Sequence, residues 1–295
     1  MPLNSSIVGS GAEPHQSAVD ARWTMAYAAG LGDTLPIYLN TRAPDGIVAH
    51  PLFPVCFEWD ALGKLRNATN TGLRNDEVIR GVHATHDLLL ARPIRPPEKL
   101  RTVLKVAGVV RTRAGAYQLS RADTLDAAGG PVCTSWYGTL YRGVEVEGPD
   151  RPAGDAPPHP KPSGNSPRLR AELPINVPAG FAHVYTECAR IWNPIHTDSA
   201  VAARAGLPEI ILHGTATLAL AISRIVAHES DGDPTRVARI AGRFAGMVLM
   251  PSELRVRVLE RLQGDRTATI LFEVVNSRGE PAIRDGTIEL KGSSK

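Results

Sequence analysis

The feature that most constrains this 295-residue chain is Gly214 followed by Thr-Ala-Thr-Leu-Ala-Leu-Ala-Ile-Ser-Arg-Ile-Val-Ala. The run reads as a helix, yet it is apolar nearly all round and has no polar face to turn toward water. A helix of that kind is buried on most sides. Strand-like stretches follow it at 237–247, 253–262, 267–276 and 282–290. Turn residues at Gln263-Gly264-Asp265 and Ser277-Arg278-Gly279 mark hairpin connections. One wholly buried helix followed by about four antiparallel strands requires a sheet that curls around the helix.

The first half of the chain reads in the same order. Residues 32–38, Gly-Asp-Thr-Leu-Pro-Ile-Tyr, lead to residues 47–53, Ile-Val-Ala-His-Pro-Leu-Phe. In the second half, Ile191-Trp192-Asn193-Pro194-Ile195-His196 leads to Ile210-Ile211-Leu212-His213-Gly214-Thr215. Strand-like stretches at 100–110, 116–123 and 134–142 then follow in the first half. Between the halves, residues 148–170 hold seven prolines and no aliphatic or aromatic cluster, which predicts a semi-extended linker. The expected organisation is a loose tail over residues 1–16, one unit over 17–147, the linker, and a second unit over 171–295. A duplicated α+β unit is the economical reading. Two ordinary α+β sandwiches are the alternative.

Composition narrows the function classes. With 43% hydrophobic and 21% charged residues the chain is globular, and with 5% aromatics its cores are aliphatic. A net charge of +3 with scattered arginines gives no footprint for nucleic acid or an acidic membrane surface. No apolar run approaches the ~18 residues of a membrane span, and the N-terminus lacks a signal-peptide pattern. Cys56, Cys133 and Cys188 are far apart and form no C-x-x-C pair, which points to the reducing cytosol. The histidines lack ligand spacing, and no phosphate loop or HExxH helix appears, so no metal and no redox cofactor are expected.

Chemistry concentrates in residues 181–218. Pro194 biases Asn193 toward an extended conformation and holds a loop from which Asn193 and His196 can face one pocket. Asp198 is placed to cap a short helix that ends at Gly206. His196 has a side chain that titrates near neutrality and can act as a general base, or it can serve structure alone. Gly214 opens the buried helix, where free N–H groups and partial positive charge face outward, and a glycine lets a ligand carbonyl come close. His213 is expected to pack locally, and Phe244 either fills core or lines the pocket.

The run Asn193-Pro194-Ile195-His196-Thr197-Asp198, with Gly206 and then His213-Gly214, resembles the MaoC-like (R)-specific enoyl-CoA hydratase and 3-hydroxyacyl-thioester dehydratase family. A degenerate first half with a motif-bearing second half is similar to that family's double hot-dog members. The resemblance implies an α+β double hot-dog, with two curled antiparallel sheets each wrapped around a buried helix. It implies addition or removal of water across the 2,3 double bond of an acyl thioester. In that reading His196 is the base, Asn193 positions water or substrate, the Gly214 N–H binds the carbonyl, and Phe244 lines the acyl-thioester pocket. Coenzyme A enters as substrate carrier only. The partner is an acyl-CoA, with no nucleic acid and no membrane, and a homodimer is a possible assembly. The chain departs from the family pattern at Ile191, which stands five positions before the histidine where the family has an acidic residue. The first half keeps an acid there, Asp33, but has Tyr38 in the histidine's place and Pro51 in the glycine's. Glu187, Asp198 or a first-half residue are the candidates to replace the acid. A non-catalytic thioester-binding protein and a thioesterase remain as alternative functions.

Overall fold

The computed structural model describes residues 1–160 and 169–292. The first half runs β1 (Leu3–Asn4), β2 (His15–Val19), α1 (Ala21–Gly30), α2 (Pro36–Leu39), α3 (Pro54–Ala68) and α4 (Asn75–Val78). It continues through β3 (Gly81–Leu90), β4 (Glu98–Thr112), β5 (Gly115–Asp126), β6 (Pro131–Arg142) and β7 (Val146–Glu147). The second half repeats this order with β8 (Ala171–Val177), α5 (Phe181–Ala189), a 3-10 turn at Pro194–His196, α6 (Ser199–Arg204) and α7 (Gly214–Glu229). It ends with β9 (Val237–Phe244), β10 (Ser252–Gln263), β11 (Thr267–Val275) and β12 (Pro281–Lys291).

The long strands form one sheet in the order β2-β4-β5-β6-β3-β9-β12-β11-β10-β8. Read from its middle outward, each side has the same order of equivalent strands, so an approximate twofold axis passes through the β3–β9 seam. The seam is antiparallel and runs from Thr85 opposite Arg243 to Leu89 opposite Arg239. The two sheets expected from sequence are therefore joined edge to edge, which removes an exposed edge from each half. The strands alternate buried and partly exposed positions, as in β5, so one face covers the helices and the other meets solvent.

α7 lies against the concave face as the sequence requires. Residues 216–222 are all buried. Seven consecutive residues cover every direction around a helix of 3.6 residues per turn, so sheet and neighbours surround it. Ala216, Ala219 and Ala221 keep that helix thin enough to be enclosed. α3 differs: it buries Pro54–Glu58, Ala61 and Leu65 and turns its other face outward. One apolar cluster runs through both halves, with Phe53, Phe57 and Leu88 in the same core as Tyr185, Leu218 and Ile240.

The N-terminal segment corrects an expectation. Residues 1–16 are not a loose tail. Leu3 is fully buried, β1 pairs in parallel with β7, and the backbone of Gly9 and Ser10 bonds to Val106. Serine and glycine suggested looseness, but Leu3 and Ile7 anchor the segment in a small second core. Of the proline-rich stretch, residues 161–168 lie outside the described residues. Residues before them cross the sheet as a strap. Arg151 and Val109 exchange backbone hydrogen bonds of 2.8 Å, Asp150 accepts from Arg111 at 2.8 Å, and Asp155 accepts from Arg121. Among the described residues, no helix is long and apolar enough to cross a membrane.

Candidate active site

Pro194 starts a single 3-10 turn in which the His196 N–H donates to Asn193 O at 3.1 Å and the Asp198 N–H to Pro194 O at 2.8 Å. Asp198 then caps α6, accepting from the Ala200 and Val201 N–H groups at 2.8 and 3.1 Å. α6 closes on Gly206, whose φ is 74°. The Leu207 N–H returns to Ala202 O and the Gly206 N–H to Ala203 O, so the end is a Schellman motif. Both ends of this short helix are fixed, and the loop carrying His196 is fixed with them.

The His196 ring is 9% exposed, and its Nδ1 lies 2.7 Å from the Ile211 carbonyl oxygen. A carbonyl can only accept, so Nδ1 carries the proton and Nε2 is left with a lone pair. Burial lowers the pKa of His196 to about 4, against a smaller opposing pull from the Ile211 carbonyl. The ring is thus neutral near pH 7 and able to accept a proton. It stacks on the His213 ring, with centroids 3.6 Å apart and planes at 27°. His213 is also pushed well below its ordinary pKa, chiefly by burial. Its Nε2 lies 3.3 Å from Thr186 Oγ1.

His213 immediately precedes the first residue of α7, so the stack sets the imidazole of His196 beside that helix's N-terminus. The Tyr185 hydroxyl donates to Thr215 Oγ1 at 3.1 Å and pins the first turn. A Cβ on Gly214 would fall 2.9 Å from Cδ1 of Phe244, so the ring of Phe244 packs directly on this glycine. Asn193 is half-buried, and its Oδ1 accepts from the Ile195 N–H at 3.5 Å. The sequence-expected residues Asn193, His196, Gly214 and Phe244 are brought to one neighbourhood. Sequence did not single out Tyr185, Thr186 or Thr215, which brace it. Threonine and tyrosine at such positions carry no local signal.

Ile191 is 4% exposed, and among the described residues no carboxylate hydrogen-bonds to His196. Asp198 is engaged in its cap, and Glu187 is on the exposed side of α5. The first-half counterparts sit elsewhere. Asp33 is 8% exposed, and burial raises its pKa while Ser223 and the Leu35 N–H pull it down. His50 Nε2 lies 3.2 Å from the same Ser223. Ser223 is nine residues beyond Gly214 on α7, about 14 Å along the axis at 1.5 Å per residue. Asp33, beside Ser223, and His196, beside the start of α7, are therefore well separated along that helix. Pro51, in the place of Gly214, has no N–H to offer a carbonyl. Only the second half retains the donor.

The fold is a double hot-dog, and the family model described as MaoC like domain matches residues 161–280. The chain is similar to 3-hydroxyacyl-thioester dehydratase Y of Mycobacterium tuberculosis, with 27% identity over 98% of this chain and 99% of that protein. It is 24% identical to the peroxisomal enoyl-CoA hydratase 2 of Arabidopsis thaliana, over 91% of this chain and 89% of that one. The crystal structure of a MaoC-like dehydratase from Phytophthora capsici superimposes with a TM-score of 0.82 at 20% identity, covering 98% of each chain.

Proposed function

We propose that the chain is a hydro-lyase that adds water to, or removes it from, the 2,3 double bond of an acyl-CoA thioester. The observation that carries this is the anchored imidazole. Nδ1 of His196 is tied to the Ile211 carbonyl, which leaves Nε2 free to act beside the N-terminus of α7. In hydration, Nε2 takes a proton from water as its oxygen bonds to C3. Electron density moves through C2 to the thioester oxygen, where the Gly214 N–H and the helix dipole stabilise the enolate. The imidazolium then returns its proton to C2. With Ile191 in the acid's place, one imidazole serves both transfers. Asn193 orients the water or the acyl group. Phe244, packed on Gly214, lines the thioester pocket.

The named activities of the relatives, a 3-hydroxyacyl-thioester dehydratase and an enoyl-CoA hydratase, support the reaction class. The proposed compartment is the cytosol, which suits three free cysteines of which two are buried. The test is hydration of crotonyl-CoA, followed as loss of the enoyl-thioester ultraviolet absorbance. Replacing His196 by Ala is expected to lower kcat/KM by about 10²–10⁴. Equal activity in wild type and a folded His196→Ala variant overturns the assignment of the base. The buried Ile191 favours a second reading, a protein that binds acyl thioesters without turning them over. In that case wild type binds crotonyl-CoA and leaves its absorbance unchanged.

A further inference from the structure

The interior of the first half holds a set of polar side chains that the proposed reaction does not use. Glu58 on α3 is fully buried and accepts hydrogen bonds from Ser135 Oγ at 2.9 Å and from the Tyr137 hydroxyl at 2.5 Å. The Tyr137 ring lies 4.8 Å from that of His86 and 5.3 Å from that of His83. The His83 ring in turn lies 4.7 Å from Phe244, the residue packed on Gly214. A continuous row of side chains thus links α3 of the first half to the helix start of the second.

Two members of this row lack partners. His86 is 1% exposed, and neither of its ring nitrogens has a hydrogen bond. His83 is tied to the Thr85 backbone, and its Nε2 is buried without a partner. A buried polar atom left unpaired is destabilising. Three such atoms side by side, within the row that leads from Gly214 to Glu58, mark a place prepared for a polar group from outside. The row is also uncharged near pH 7. Burial holds His86 well below its ordinary pKa and raises Glu58 to about 8. The charged neighbour acting on Glu58 is Asp123, and no cation is among those acting on Glu58, His83 or His86. A neutral group suits such a lining better than a carboxylate. A neutral imidazole has one N–H and one lone pair, which is the complement of a hydroxyl group.

We infer that His86, with His83 and Tyr137 beside it, receives a hydroxyl group on the acyl chain, so that the substrate class is a hydroxylated acyl-CoA rather than a plain hydrocarbon chain. This rests on the reading of Gly214 as the thioester site. An acyl chain whose carbonyl is held there passes Phe244 and meets His83 and His86. The second half then supplies the chemistry, and the first half selects the acyl group.

Isothermal titration calorimetry of the whole protein tests this with saturated ligands, independently of turnover. The ligands are ω-hydroxyacyl-CoAs of graded chain length and their unsubstituted counterparts. The hydroxyl is expected to tighten binding about tenfold at the chain length that reaches His86, as one to two recovered hydrogen bonds allow. His86→Leu should erase that gain. If unsubstituted chains bind as tightly as hydroxylated ones at every length, the inference is overturned. That comparison needs wild type alone, so a poorly folding variant does not decide it. Failure of the hydro-lyase reading has a different signature, in which crotonyl-CoA keeps its absorbance while the hydroxylated ligands still bind better.

Discussion

A single hydrogen bond determines what His196 can do. Its Nδ1 faces the Ile211 carbonyl at 2.7 Å, which fixes the tautomer, and burial lowers the pKa to about 4. The sign of the consequence follows directly. The base form is the neutral ring, and its population rises with pH through the folded-state pKa. A general base with this value is already unprotonated across the range from about pH 5 to 7, where a solvent-exposed histidine would still be titrating. The pH profile of kcat/KM for crotonyl-CoA hydration is therefore expected to be level over that range and to fall only as pH approaches about 4. An acid limb centred near 6.5 would show that the ring is not held in the buried state. A low pKa also makes His196 a weak base. In the proposed reaction the helix-start amide at Gly214 then carries more of the stabilisation of the enolate, as a donor aimed at developing charge can.

At the level of elements, the sequence revealed those with an unusual pattern and concealed those with an ordinary one. α7 was legible because it lacks a polar face, and its observed burial over residues 216–222 agrees. The cap at Asp198 and the close at Gly206 were legible because both depend on local hydrogen bonds between near neighbours. β2, β8 and α1 gave no such sign. β2 is His-Gln-Ser-Ala-Val, and its place at the sheet edge depends on pairing with β4, some eighty residues later. The motif around His196 was legible because a proline and a cap fix it locally. The row from Glu58 to His83 was not, since its members lie on α3, β3 and β6 and meet only through the sheet. Glu58 gives this element a measurable mark. Burial raises its pKa to about 8 from an ordinary 4.5, so the folded state holds a proton that the unfolded chain releases. Its contribution to stability is complete below about pH 4.5 and is lost as pH rises through about 8. Glu58→Gln, which keeps the shape and cannot ionise, is expected to flatten the decline in the urea midpoint between about pH 5.5 and 8. An equally steep decline in the variant would mean that Glu58 is not the buried acid responsible.

Across the whole molecule, duplication within one chain does what a symmetric pair of half-length chains could not do as well. The seam is the reason. β9 carries Arg239 and Arg243, and β3 sets Ala241 of β9 opposite Asp87. Arg239 is 6% exposed at its side chain and forms a two-point contact with Asp87, Nε to Oδ1 at 2.9 Å and Nη2 to Oδ2 at 2.7 Å. It also donates to Glu289 at 3.1 Å and to the Pro158 carbonyl at 3.0 Å. If β9 met a second β9 about the same centre, Arg239 would face Arg243 twice, and like charges directly opposite are destabilising. The degenerate first half therefore supplies the matching charge as well as the missing edge. A shared apolar cluster and a shared sheet further imply that neither half is an independent folding unit. Asp87→Ala tests this at the point of greatest leverage. Removing one partner of a buried ion pair leaves the other short of compensation, and here the loss is expected to be about 3 kcal/mol, toward the low end for such pairs because Glu289 and Pro158 still hold the guanidinium. The destabilisation should lower a single transition in which far-ultraviolet circular dichroism and tryptophan fluorescence coincide, since Trp23, Trp59 and Trp136 lie in the first half and Trp192 in the second. Two separated transitions, with one half melting alone, would show that the seam joins the halves in space without joining their stabilities.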